Sequence, residues 1–419
     1  MKNVFLKYKY YFLLLFVAFT WLLLLDFLLQ LKHQTIIFPD ATTYNEAATN
    51  LFYHLRGHCY RPILMAVISG FPLVFGASAT DLYTISIFTN IVFWLCSILI
   101  VFSLIKKYTS NKVAFYLAVV YILFIGIGIY NFQLLAEIPY LLSLLLFLFF
   151  LKKYNDTLCF KWLSIALSIL ILSMLIKPGS KFIAIIVLGY YIIPLILNFK
   201  TKAMLLIYAS VLMCLLQGFG LKHQFGNFTI SYIDSVTFHN YLFSKADCYR
   251  NNVEYTQINN PRANYFFSLE VKQQKEVANK DIKEQLFNNK INIGKAYLHN
   301  LFWNSATGTI IIPLYDNKLN KSNFETIKSS LYVISKYQNR IMTVLGLFLS
   351  LLAIILYYKK DSFIVIISLL TLYIIGISGI SSNQGDRFHL ITYPFTLILI
   401  GCIYKSKEFK QFFEQLRIK

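Results

Sequence analysis

Apolar residues fall in long unbroken runs along this chain, and polar residues gather between them. The first run, YFLLLFVAFTWLLLLDFLLQ, covers residues 11–30. A run of about 18 residues or more is long enough to cross a bilayer as a helix. Read this way, the pattern predicts spans near 11–30, 83–105, 113–130, 137–151, 161–176, 181–198, 203–219, 341–358, 362–380 and 387–404. The expected class is an all-α polytopic membrane protein with about ten transmembrane helices. Several runs are short, which predicts tilted or re-entrant pieces among them. The basic start MKNVFLKYK followed by an apolar run also resembles a signal peptide. The run is too long for one and no small-x-small cleavage site follows it, so it reads as an uncleaved span.

The polar gaps define the organisation. Residues 1–219 form an N-terminal membrane domain with a first outer loop at 31–82. Residues 220–340 form a large loop region, 341–404 the last spans and 405–419 a cytoplasmic tail. In the first loop, PDATTYNEAATNLFYHL spaces Tyr44, Ala47, Ala48, Leu51, Phe52 and Leu55 at helical intervals. This predicts an amphipathic helix lying along the interface. The large loop carries helix-like text such as LEVKQQKEVANKDIKEQLFNNK, so it reads as a mostly helical unit.

Composition agrees with the pattern: 57% of residues are hydrophobic and the mean hydropathy is +0.59. The net charge of +20 would suggest nucleic acid in a soluble chain. Here the lysines flank spans, and no basic–aromatic nucleic-acid module is present, so the excess is assigned to membrane lipids and topology. With the N-terminus inside, the short inner segments hold 18 Lys and Arg and the short outer segments six. That asymmetry predicts cytoplasmic N- and C-termini and an outward-facing large loop. Cys59 and Cys248 face outward, where either a disulfide or two free thiols is expected. No CxxC or Cys/His metal spacing occurs.

This topology brings ionisable residues from distant segments to one side, and such residues at span ends mark a site by default. Asp40, after Pro39, suits a helix N-cap or a carboxylate held at the surface as a general base. Glu46 reads as a solvated face. Arg61, before Pro62, is either an interfacial anchor or a phosphate ligand. Glu137 opens a span, where a negative charge suits the helix dipole or orients a substrate hydroxyl. Lys177, before Pro178 and Gly179, breaks the positive-inside pattern. Asp386, Arg387 and His389 crowd four residues before the last span, where either Asp386 pairs with Arg387, or one of Arg387 and His389 reaches an anionic headgroup.

The order of these features carries a resemblance. An acid follows the first span, then come Arg61-Pro62, Glu137 opening a later span, Lys177-Pro178, and Arg387-Phe388-His389 before the last span. In this the chain resembles the GT-C superfamily of integral-membrane glycosyltransferases, most of all the protein-O-mannosyltransferase and lipid A aminoarabinose transferase group. The resemblance runs through most of 1–405 and is best in 38–76, 131–151, 173–181 and 384–402. It implies a polyprenyl-phosphate-linked sugar donor, an extracytoplasmic glycan, lipid or protein acceptor, and an inverting transfer. It implies Asp40 as the catalytic residue, serving as general base. Arg61, Lys177, Arg387, Glu137, Tyr44 and His389 would bind donor phosphate or substrate. Many members carry a paired acid in the first loop; here Ala41 and Thr42 follow Asp40. No cofactor is called for, and a divalent metal, if one is used, would fall to Asp40 and Glu137. The site would lie on the outer face of the plasma or inner membrane. Two other readings share the topology: a transporter or flippase of lipid-linked glycans, which predicts midspan charges and a duplicated half, and a glycan polymerase.

Overall fold

The computed structural model describes residues 2–381, 383–404, 406 and 409, with side chains from Tyr8 onward. The described residues are helical and contain no strand. Helix α1 (Lys2–Leu29) shows why the chain needs a bilayer. Leu14, Ala18, Leu22, Leu25 and Leu29 form its buried stripe. The opposite face is equally apolar, with Phe12, Phe16, Phe19, Leu23 and Phe27 all exposed. A helix in water would carry polar residues there.

Next come α2 (Pro39–His54), α3 (Ile63–Gly70), α4 (Asp81–Ile105), α5 (Asn111–Ile122), α6 (Ile125–Tyr130), α7 (Glu137–Thr157), α8 (Phe160–Ser173), α9 (Lys181–Tyr190), α10 (Ile192–Leu197) and α11 (Met204–Phe225). The polar region holds α12 (Ile233–Val236), a π-helical stretch (Thr237–Phe243), α13 (Ser244–Arg250), α14 (Pro261–Ser268), α15 (Val271–Asn288) and α16 (Lys290–Ala306). The chain closes with α17 (Phe324–Tyr357), α18 (Ser362–Ser378) and α19 (Tyr393–Ile403). Helix α7 packs between α4 and α8, and α17 packs against α18 and α19.

Among the described residues, four helices are long and apolar enough to cross a membrane: Tyr8–Leu29, Asp81–Ile105, Met204–Phe225 and Phe324–Tyr357. The remaining apolar helices are mostly shorter, and three expected spans differ in detail. The run 113–130 breaks between α5 and α6. There the Gln338 side chain takes the Ile125 N–H and donates to the Leu123 carbonyl, at 3.0 and 3.1 Å. A polar side chain from a neighbouring helix thus satisfies the interrupted backbone. The run 181–198 divides at Tyr191 into α9 and α10. The run 387–404 starts with two 3₁₀ turns, Gly385–Arg387 and His389–Thr392, and becomes α-helical only at Tyr393, ahead of Pro394. Helix α17 begins well before residue 341, so one continuous helix joins the polar region to the membrane part.

The interfacial helix expected after the first span is α2. Ala41, Tyr44, Ala47 and Ala48 are its buried face. Gly70 of α3 lets that hairpin close: a Cβ there would meet the Phe52 ring at 2.6 Å and Ala48 at 2.9 Å. Leu55 departs from the expected stripe. It ends the helix at φ 52° and is exposed. Cys59 and Cys248 are both free thiols. The tail assigned to 405–419 lies almost wholly outside the described residues.

Candidate active site

Asp40 does not cap its helix. Phe38 holds the cap position, Pro39 starts the first turn, and the Asp40 side chain makes no capping bond. A carboxylate in the first turn still suits the helix dipole, but both of its oxygens turn to arginines. Arg61 Nη2 donates to Asp40 Oδ1 at 2.8 Å. Arg387 Nη1 lies 2.6 Å from Asp40 Oδ2. From Arg387 the chain of charges continues, its Nε donating to Glu137 Oε1 at 2.6 Å. Lys177 Nζ donates to the same Glu137 oxygen at 3.0 Å. Five charges from four remote segments therefore form one line: Arg61, Asp40, Arg387, Glu137, Lys177.

The sequence places each of them locally for a clear reason. The N–H of Phe38, just before α2, donates to Gln133 Oε1 at 3.0 Å. That fixes Asp40 against the loop that leads into α7. The same loop is held from α4, where Asn90 Nδ2 donates to the Gln133 carbonyl at 2.8 Å. Glu137 is the first residue of α7, so its carboxylate emerges at a fixed height. The Met65 N–H of α3 bonds the Leu175 carbonyl at 3.1 Å, which ties the α2–α3 hairpin to the turn bearing Lys177. His58 shapes the approach to Arg61: its Nδ1 accepts the N–H groups of Tyr60 and Arg61 at 3.1 and 3.2 Å.

Aromatic rings and hydroxyls complete the cations' surroundings. The Arg61 guanidinium lies 4.3 Å from the Tyr44 ring and donates from Nε to Thr43 Oγ1 at 2.8 Å. Arg387 stacks over Phe38 at 4.5 Å and donates to Gln384 Oε1 at 3.2 Å. Lys177 sits 4.8 Å from the Phe388 ring. Planar guanidinium stacked on an aromatic face and forked toward oxygens is an arrangement lysine cannot reproduce. Arg387 and Glu137 are almost wholly buried, whereas the Asp40 side chain is 34% exposed and is the most open of the five.

The electrostatics follow from the geometry. Burial alone would raise the Asp40 carboxyl, but the flanking Arg387 and Arg61 outweigh it and hold the group well below the usual carboxylate range. Burial pulls the Lys177 ammonium below its ordinary value, with Glu137 opposing. Three cations face two carboxylates, so the line carries a surplus positive charge. The Tyr241 phenol, on the π-helical stretch, lies within electrostatic reach of Asp40, Arg61 and Arg387. Sequence reasoning missed Tyr241, Thr43 and Gln384. A tyrosine in a polar loop carries no periodic or spacing signal that would place it here.

One expected binding residue stands apart. His389 is fully buried, with Nδ1 3.0 Å from the Thr343 hydroxyl and Nε2 2.8 Å from the Ser378 hydroxyl. Both ring nitrogens are used in joining α17 to α18, away from the line of charges. Asp386 bonds the Tyr130 and Thr309 hydroxyls rather than Arg387. Among the described residues no three His, Cys, Asp or Glu side chains gather as a cation site requires. Asp40 is paired with Arg61 and Arg387, and Glu137 Oε1 with Arg387 and Lys177, while Glu137 Oε2 is buried without a hydrogen-bond partner.

No family model matches the chain, and no curated protein matches it in sequence. Among solved structures it is similar to the apo oligosaccharyltransferase of Archaeoglobus fulgidus, at 14% identity and TM-score 0.45. It is also similar to the archaeal oligosaccharyltransferase AglB of the same organism in complex with an inhibitory peptide and a dolichol-phosphate, at 13% identity and TM-score 0.46. Each match covers 98% of this chain and 52% of the other, so the chain spans about half the length of the solved structures it matches.

Proposed function

We propose that this chain is a membrane glycosyltransferase of the GT-C type. It moves a sugar from a polyprenyl-phosphate donor to an extracytoplasmic acceptor, with inversion and with Asp40 as general base. The observation that carries the reading is the convergence of Asp40, Arg61, Glu137, Lys177 and Arg387 from four segments into one line with a surplus positive charge and one partly open carboxylate. The membrane is the plasma or inner membrane, both termini are cytoplasmic, and the site faces outward.

The chemistry divides among these residues. The acceptor hydroxyl attacks the anomeric carbon while its proton passes to Asp40. The bond from that carbon to the donor phosphate oxygen breaks, and the electron pair leaves with the lipid phosphate. The charge that develops on the phosphate needs fixed donors. Arg61 and Arg387 supply forked N–H groups and Lys177 an ammonium. Glu137 is buried and bonded to two of these cations, so it orients them.

A carboxylate clamped by two arginines is a poor base. The donor resolves this conflict. Its phosphate competes with Asp40 for the Arg61 and Arg387 N–H groups, and the Asp40 carboxylate released from them becomes more basic. The site is therefore switched on by the substrate it must bind first. Tyr44, Phe38 and Phe388 keep the cations in plane during the exchange.

Mass spectrometry of polyprenyl-phosphate sugars in native membranes tests this, comparing wild type, a deletion and Asp40→Asn. Accumulation of one lipid-linked monosaccharide in both altered strains is the expected result. An unchanged pool in all three removes the monosaccharide-donor reading and favours a polymerase or transporter.

A further inference from the structure

A second carboxylic acid lies beside the site and is used by none of the steps above. Asp386 is 1% exposed, and its neighbour Arg387 is the central cation of the line. Its partners are neutral. Tyr130 of α6 donates to Oδ1 at 3.2 Å, and Thr309, from the segment after α16, donates to Oδ2 at 2.6 Å. One carboxyl therefore joins three segments of chain remote in sequence.

The backbone around it is shaped to accept that group. Gly385 has φ +59°, in the left-handed region that favours glycine. A Cβ at Gly385 would also press on the Gly308 carbonyl oxygen at 2.6 Å. A Cβ at Gly126 would overlap Asp386 Oδ2, so only glycine lets α6 come this close. Upstream, the Gln384 N–H donates to Asn304 Oδ1 at 2.9 Å, and Asn304 Nδ2 donates to the Ser378 and Ser381 carbonyls. The short 3₁₀ turn that presents Arg387 is thus pinned at Gln384 and at Asp386. Gln384 reaches on to the guanidinium itself.

We propose that Asp386 is a positioning residue of the active site: bonded to Tyr130 and Thr309, it fixes the Gly385–Arg387 turn so that the Arg387 guanidinium meets both Asp40 and Glu137. The inference rests on the glycosyltransferase reading for its activity readout. Burial, opposed only by hydroxyl and backbone hydrogen bonds, raises the Asp386 carboxyl to about 7. Ionisation near neutral pH would leave a buried charge held only by hydroxyl and backbone hydrogen bonds and would loosen the turn that presents Arg387. Tyr130 and Tyr393 are the titratable groups facing Asp386, with Arg387 beside it in sequence.

The test compares wild type, Asp386→Asn and Asp386→Ala as full chains in detergent or nanodiscs, normalised to folded protein. Asn keeps the shape without the ionisation. Wild-type transfer should fall as pH rises past about 7, and Asp386→Asn should lack that alkaline limb while keeping its rate at lower pH within a few-fold. Asp386→Ala should lose at least tenfold in kcat. Amide hydrogen exchange over 384–388 should rise in Asp386→Ala and not in Asp386→Asn. Full transfer by Asp386→Ala, or an unchanged alkaline limb in Asp386→Asn, overturns the positioning role. Should wild type transfer no sugar and bind no long-chain polyprenyl phosphate, the glycosyltransferase reading falls instead. The exchange measurement then decides alone, and unchanged exchange in Asp386→Ala overturns the role of Asp386.

Discussion

Two dense clusters of charge among the described residues differ in what they leave over. The first is the line Arg61–Asp40–Arg387–Glu137–Lys177. The second lies within 239–289. There Asp247 pairs with Arg250 and Arg262, and takes Gln285 and Asn289 amides as well. Asp281 pairs with Arg262 and with His239 at 2.8 Å. The second cluster is assembled from residues close in sequence, balances two arginines against two aspartates, and leaves both carboxylates less exposed than Asp40. The first is assembled from remote segments, holds one more cation than it neutralises, and keeps Asp40 partly open. Ion pairing alone therefore does not mark a site. Surplus charge with a reachable partner does, because only such a cluster has something to offer a ligand.

Substitutions can break this comparison. The largest effect is expected from Asp40→Asn, which removes the proposed base. Transfer from a synthetic lipid-phosphate donor should fall by about 10³-fold, within the ~10²–10⁴ range that general bases supply. Next is Arg387→Lys. It keeps the charge but cannot reach Asp40 and Glu137 together, so transfer should fall about 10²-fold, with a weaker donor KM. Arg262→Ala addresses the second cluster. It strips partners from two part-buried aspartates and should cost ~3 kcal/mol of stability, yet transfer per folded molecule should stay at the wild-type rate. A hundredfold loss there would place the second cluster in the reaction. His389→Phe leaves the Thr343 and Ser378 hydroxyls one partner short and should cost about 1–2 kcal/mol, read as a lower Tm with unchanged transfer.

The smallest effect is on pH dependence, and the two acids beside Arg387 should show opposite signs. The Asp40 pKa is depressed in the fold, so its stabilisation is present above its unfolded value of about 4 and is lost as pH falls through the lower folded value. The Asp386 pKa is raised, so the fold loses stability as pH climbs from about 4 toward about 7. Thermal melts of Asp40→Asn should lack the first slope, and those of Asp386→Asn the second.

Much of this was legible in the chain. Apolar runs marked most of the helices, because a segment in lipid must be apolar on every side and that demand is written residue by residue. The helix from Pro39 was visible in its spacing. Asp40, Arg61, Glu137, Lys177 and Arg387 stood out because ionisable residues beside apolar runs are costly to keep. Their partnerships were not legible. Nothing local to Asp40 distinguishes a cap from an arginine clamp, and nothing in Arg387-Phe388-His389 tells which side chain joins Asp40 and Glu137.

Those decisions belong to the tertiary structure. His389 turns into the α17–α18 interface and Arg387 turns out of it because the 3₁₀ turns before α19 set successive residues on different faces. The break between α5 and α6 depends on Gln338, more than 200 residues away, to satisfy two backbone groups. Composition and periodicity determined that the chain lies in a membrane and which residues are expensive to place there. Which of them meet was decided by contacts between distant segments, since pairing energy depends on distance in space and leaves no mark in local sequence.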